Sequence, residues 1–563
     1  MATSYFIDFN RGSDSNAGTS TGAPWKTLAK ITNTASLGPG DEVLLADDSE
    51  FDLAIADRVA PQNNWTGTLA NPVIIGKYSP SSQSVGNKPV IRWNIQTTPS
   101  DWTYDGAKNG WIYTHPTAHI NAQCLVRLGD TWDAHCPDQT VNAAVASIDG
   151  RWNVGQSASS NDRIILWAPA DTNPVTYYGG VLISPAAIGA ITLSSGRGAI
   201  TVENILFERT GCGVSMYSGT TAAANFVARC LSGRICSGLV YASGDTSGVL
   251  KAWVLDCDLW DFGSTGLQAY AVGGAGIAYL EIARNRLGNG GHGNSQAAIY
   301  LQVRNSARDV ITHVHHNWVT GYRWGTRDKG YDGSAIYCET GSDGVLVYAN
   351  VAERMYCAYQ DNSGRRNRWM GNVAAECRLG MRIGDQQNNN QSDTYLYNNT
   401  FLIGALSQQP TEWGASQGAE YPGVWMYKST GGNLNVTAAN NIVANIGAGT
   451  ARAAFGLPDN AGTMTLNGNW LYGFGADTMV ASSNSSAGSL TNVGTSDPRP
   501  YLMADGALKI APTTTWGTLS SDNPLATTGA YVEGVKLING RLRPGACPVG
   551  AYAAVLPGTA RTA

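Results

Sequence analysis

The stretch DGVLVYANV (343–351) decides the fold once its counterparts along the chain are set beside it. It is a short apolar run, strand-like in its Val, Leu and Tyr content, and it closes on Asn350 followed by Val351. A polar residue, in most cases with an apolar one after it, recurs at Asn204-Ile205, Cys230-Leu231, Asp258-Leu259, Asn285-Arg286, Asn317-Trp318, Asn372-Val373, Asn399-Thr400, Asn441-Ile442 and Asn469-Trp470. With Asn350 in its place, the steps are 26, 28, 27, 32, 33, 22, 27, 42 and 28 residues. A period of this size marks a repeat architecture, in which one unit cannot bury its apolar face alone. Between the ladder members lie further strand-like runs, ITVENILF (200–207), AIYLQV (298–303) and SAIYCET (334–340). No segment between Gly189 and Asn469 keeps a helical apolar period over three turns, so the repeats are coils of a parallel β-helix. Asn suits a fixed corner of each coil, because it tolerates left-handed geometry and its amide can bond to its equivalent one coil away. The step of 42 accommodates an insertion, GALSQQPTEWGASQGAEYPG (404–423).

Composition agrees. Only 14% of the 563 residues are charged and 67 are Gly, as expected of a turn-rich all-β chain. A net charge of −5 without a basic run argues against a nucleic-acid partner. No apolar stretch is long enough for membrane insertion, and Met1 leads almost directly into SYFIDF with no evident signal peptide. The ten Cys form no CxxC pair; they read as buried free thiols of a protein made in a reducing compartment.

Four regions follow from the rhythm. Residues 1–94 hold an N-terminal cap, with a short helix around Trp25–Thr34, and the first coils. Residues 95–185, rich in Trp and Tyr, form a β-rich aromatic insertion; 186–475 are the main β-helix; 476–563 are a closing region. The opening YFIDFNRGSDSNAGTSTGAPWKTLAKI, the following LGPGDEVLL and the ending RPGACPVGAYA resemble the pectate-lyase-like superfamily. That resemblance implies an all-β, right-handed single-stranded parallel β-helix of the kind found in secreted polysaccharide lyases and bacteriophage tailspike depolymerases. It further implies a bacterial polysaccharide as partner, a virion or extracellular location and, for a tailspike, a homotrimer attached to other tail proteins.

Overlaying the coils aligns VSMY (214–217), LVYA (239–242), LQAY (267–270), IYLQ (299–302), IYCE (336–339), AYQD (358–361), MRIG (381–384) and VWMY (424–427). The first and third columns are mostly apolar and point inward, with Gln360 the polar intruder; the second and fourth point outward. The second column then carries Tyr300, Tyr337, Tyr359, Arg382 and Trp425, and the fourth brings Glu339 beside Asp361. Neighbouring coils are about 4.8 Å apart, so this pairing suggests two catalytic carboxylates beside a tyrosine strip for sugar stacking. The insertion VTGYRWGTRDKGYDG (319–333) adds Trp324, Lys329 and a third acid, Asp332. Arg365, in DNSGRRNR, and His292, in GNGGHGNS, are further substrate-facing candidates.

The expected activity is hydrolysis by two of Glu339, Asp361 and Asp332. The alternatives are β-elimination, with Lys329, Arg382 or Tyr337 as base and Ca²⁺ held by Glu339 and Asp361, or a groove that only binds the glycan. In HVHHN (313–317), His313 and His315 share a face, but no acidic residue stands at matching spacing, and no metal or other cofactor is expected for a hydrolase.

Overall fold

The computed structural model describes residues 2–481 except for several stretches, the longest being 136–151, 322–332 and 404–422. Beyond 481 it describes two short strands, Met503–Ala504 and Ala507–Leu508. The chain is a single-stranded, right-handed parallel β-helix: each coil lays one strand in each of three parallel sheets. Two compact units are distinguished, the first made mainly of residues 1–278 and the second mainly of residues 299–563.

In the first unit, the first sheet runs through Ser4–Ile7, Glu42–Ala46, Val73–Tyr78, Ala199–Glu203, Ala223–Arg229 and Val249–Leu255. Its inward row, Val43, Ile75, Val202, Ala228 and Val254, is buried. Alternation of β-branched and polar residues sets that row against the core. The N-terminal helix is shorter than the sequence suggests, Ala29–Asn33, and buries Ile31. Trp25, expected inside it, instead lies before it and stacks on Tyr5. Between Trp93 and Gly189 the chain forms two four-stranded antiparallel sheets, in which Trp102 packs on Tyr113 and Tyr104 on Trp111.

In the second unit the inward row of the first sheet is Val314, Val347, Trp369 and Leu396, all essentially without exposure. The corner between the first and second sheets carries the Asn ladder. Asn285, Asn317, Asn350, Asn372, Asn399, Asn441 and Asn469 are buried, and each Nδ2 donates to the next Oδ1 at 2.9–3.0 Å. From Asn317 on, each Nδ2 also donates to a carbonyl of the coil before, as Asn350 does to Val314 at 2.9 Å. Every acceptor Oδ1 takes, in addition, the backbone N–H of the preceding Asn. An amide is the side chain with two donors and a two-lone-pair acceptor, so the stack is saturated without water.

Two details differ from the expectation. The left-handed residue is the one before the ladder Asn: Arg284, His316, Ala349, Gly371 and Asn398 have φ between 55 and 62°. An Asn in that place could not also aim its amide inward. In the first unit Asn204 and Cys230 are themselves these left-handed residues (φ 57 and 52°), and the inward corner positions are Ile205, Leu231 and Cys257, so Asp258 already begins a strand. The long step from Asn399 to Asn441 leaves their bond intact at 3.0 Å, so the extra residues do not disturb the stack.

Candidate active site

The third sheet of the second unit includes the strands Ser334–Cys338, Cys357–Asn362, Leu379–Asp385 and Val424–Lys428. Its register puts Tyr337 beside Gln360, Gln360 beside Arg382 and Arg382 beside Trp425. The inward neighbours are Cys338, Asp361, Ile383 and Met426. Thus three of the four strands lie as the overlay expects and one is slipped by a single residue. Because side chains alternate with period two, that slip exchanges faces for the whole strand.

The expected pair of Glu339 and Asp361 is therefore not formed. Asp361 points into the core and is fully buried. Its carboxylate accepts from Asn367 Nδ2 at 3.1 Å, Trp369 Nε1 at 3.0 Å and Thr394 Oγ1 at 3.0 Å. Burial pushes its pKa up to about 6, against the pull of these donors and the Gly364 N–H. Tyr359 is inside as well, its hydroxyl 2.7 Å from the Val373 carbonyl and 3.0 Å from that of Asn350. Gln360, the apparent intruder, is the residue that faces outward, and Ser334 Oγ donates to its Oε1 at 2.9 Å.

What the outer face does assemble is centred on Glu339. Its backbone N–H donates to the Leu301 carbonyl at 2.6 Å, which sets Glu339 beside Gln302 and Tyr337 beside Tyr300. The two tyrosine rings meet edge to face, 5.6 Å apart. Asn362, the neighbour of Asp361 on its own strand, donates from Nδ2 to Glu339 Oε1 and to the Tyr337 hydroxyl, both at 2.9 Å. Further along, the Arg382 guanidinium sits over the Trp425 ring at 5.5 Å. Glu339 keeps 8% of its surface exposed and Arg382 4%, so this is a sheltered face. Among the described residues of these outward rows, Glu339 is the one carboxylate. A carboxylate held by an amide that is itself anchored on a phenol, on a face that also carries aromatic rings and a guanidinium, can move a proton at a bound polar molecule.

Asp332, Trp324, Lys329 and His292 lie outside the described residues. Arg365 is exposed; its neighbour Arg366 makes a two-pronged pair with Asp343, both contacts 2.9 Å. The signal for Asn362 was present in the sequence only as the residue after Asp361, and the slip hid it.

A second polar group stands on the outer face of the first sheet. His315 Nε2 is 3.2 Å from Glu281 Oε1, its Nδ1 is 2.8 Å from His316 Nδ1, and its ring stacks on Tyr348 at 4.7 Å. Tyr279 donates to Glu281 at 2.8 Å. The acidic partner is thus 34 residues away, on the coil before. Burial, aided by His315 and Arg284, lowers the pKa of His316 to about 4. Among the described residues no three His, Cys, Asp or Glu side chains are grouped to hold a metal ion, and no helix is long and apolar enough to cross a membrane.

Fold and site together define a right-handed parallel β-helix protein with a sheltered acidic and aromatic face on its third sheet. No protein-family model matches the chain. Over 108 residues it is 39% identical to a lacto-N-biosidase of Bifidobacterium longum subsp. longum, a stretch that is 19% of this chain and only 6% of that protein. Among solved structures it is similar to the GH136 lacto-N-biosidase from Eubacterium ramulus (14% identity, 86% of this chain and 68% of that one, TM-score 0.41). It is also similar to pectate lyase Pel9A (11% identity, 98% and 96%, TM-score 0.29).

Proposed function

We propose that this chain binds and cleaves a glycan, as a glycoside hydrolase in which Glu339 is the acid–base carboxylate. The hold on Glu339 carries the reading: Asn362 fixes one oxygen and ties it to Tyr337, on a face that also offers Tyr300 and the Arg382–Trp425 stack. The stretch of 39% identity to a protein named a lacto-N-biosidase supports the same substrate class. Glu339 would protonate the leaving oxygen of the glycosidic bond, while a second carboxylate activates water or attacks the sugar carbon. Asp332 is the acid we assign to that second role, in place of Asp361. Coils about 4.8 Å apart present successive side chains to successive parts of a polymer, which suits a bacterial surface polysaccharide.

Glu339→Gln is expected to reduce cleavage by a factor of about 10²–10⁴ while polymer binding persists. Reducing ends released by the wild type without new ultraviolet absorbance from unsaturated uronates identify hydrolysis; that absorbance identifies a lyase, with Arg382 neutralising the uronate. Undiminished cleavage by Glu339→Gln would remove Glu339 from the reaction.

A further inference from the structure

Strands of the third sheet also lie in the first unit, and one of them is slipped by a single residue against the overlay. The strands Cys212–Ser218, Gly238–Gly244 and Leu267–Ala271 pair so that Ser215, Tyr241 and Gln268 form one row, and Tyr217, Ser243 and Tyr270 the next. The overlay of LVYA (239–242) places Tyr241 in the inward column. The inward residues are instead Val214, Met216, Val240, Ala242, Leu267 and Ala269, all buried. Each of three successive strands thus carries one tyrosine and one neutral hydrogen-bonding side chain on this face, with the order reversed on the middle strand; Ser215 is buried, and Ser243 and Gln268 are the accessible hydrogen-bonding groups.

We infer that this checkerboard is a second, non-catalytic binding surface for a neutral sugar chain. The choice of a sugar as ligand rests on the glycan reading above, whereas the surface itself rests on these residues alone. Tyr270 is 36% exposed, one of four large apolar side chains exposed among the described residues, and Tyr217 and Tyr241 remain half-buried. A tyrosine there to complete a core would be covered; these three are not. The rings of Tyr217 and Tyr241 are 5.7 Å apart and inclined at 57°, so they form a shallow angled seat instead of stacking on each other. A sugar ring places its C–H face on an aromatic face and its hydroxyls on neutral donors and acceptors, and the three tyrosines with Ser243 and Gln268 offer both kinds of group. None of the six side chains is charged, which disfavours an acidic polymer or a nucleic acid. Burial raises the pKa of Tyr241, which keeps its phenol neutral.

The test is electrophoresis of the full chain through native gels containing dextran, xylan or galactomannan, with polygalacturonate as the acidic comparison. Wild type and Glu339→Gln are expected to be retarded by at least one neutral polymer. Tyr241→Ala and Tyr270→Ala should each raise the apparent Kd about three- to tenfold, and Tyr270→Phe, which keeps the ring, should not. Circular dichroism confirms that the variants fold. Retardation unchanged in both alanine variants, retardation by polygalacturonate alone, or none by any neutral polymer overturns the proposal. So does a wild-type oligomer that Tyr270→Ala dissociates, since a second copy then occupies the face. If Glu339→Gln still cleaves while the tyrosine variants lose binding, the catalytic assignment fails and this surface stands.

Discussion

Replacing Asp361 by Asn tests the register directly, because a core carboxylate and a groove carboxylate respond oppositely to pH. The Asp361 pKa rises from 3.8 to about 6 on folding, through burial. The folded state therefore binds more protons than the unfolded one between these values, and stability falls as pH rises through about 6. The full ionisation cost is about 3 kcal/mol, of which about 1.4 kcal/mol is recovered between pH 7.5 and pH 5. The substituted amide cannot ionise, but it turns an N–H₂ toward the donors Trp369 Nε1 and Asn367 Nδ2, at a cost of about 1–3 kcal/mol that does not depend on pH. Urea unfolding followed by tryptophan fluorescence at pH 5, 6 and 7.5 separates the two. Relative to Asp361→Asn, wild type should gain about 1.4 kcal/mol on going from pH 7.5 to pH 5. Equal pH slopes in the two proteins, or a wild type that loses stability relative to the variant as the pH falls, would refute the placement of Asp361 in the core.

Two further outcomes follow from the fold. Asn350→Ala leaves the Val314 carbonyl, Asn372 Oδ1 and the amide of Asn317 short of partners, and should cost about 3 kcal/mol in urea unfolding; Asn204→Ala, outside the stack, should cost about 1 kcal/mol. Tyr359→Phe should lower stability by about 1 kcal/mol and leave glycan cleavage unchanged, whereas Tyr337→Phe should reduce cleavage by loosening Asn362 and Glu339; activity lost in the first variant alone would contradict the assigned faces.

How much was legible differs between fold and site. The period of the Asn positions is a property of the chain itself, and it specifies the parallel β-helix without reference to any contact. It also located Glu339, Tyr300, Tyr337, Arg382 and Trp425 on one outer face, because their strands match the overlay residue for residue. The pairing of Cys357–Asn362 could not be read in the same way. Ser334 pairs with Cys357 and Ile336 with Tyr359, so the strand enters the sheet one residue later than its apolar pattern suggests. An Ala, a Tyr, a Gln and an Asp fit either face by composition; Gln360 in the inward column was the only sign of the slip.

The same limit applies to the Glu281–His315 contact and to the tyrosine checkerboard of the first unit, both made between coils. A repeating chain determines through its own sequence that it will coil, and roughly where each coil turns, because turn preference and apolar period are local. Which side chain of a coil lies beside which of the next is settled by hydrogen bonding between strands far apart in the chain. There a shift of one residue costs little in local propensity yet moves a carboxylate from groove to core. Tertiary structure alone therefore decided that Glu339 is held by Asn362 and that Asp361 belongs to the interior.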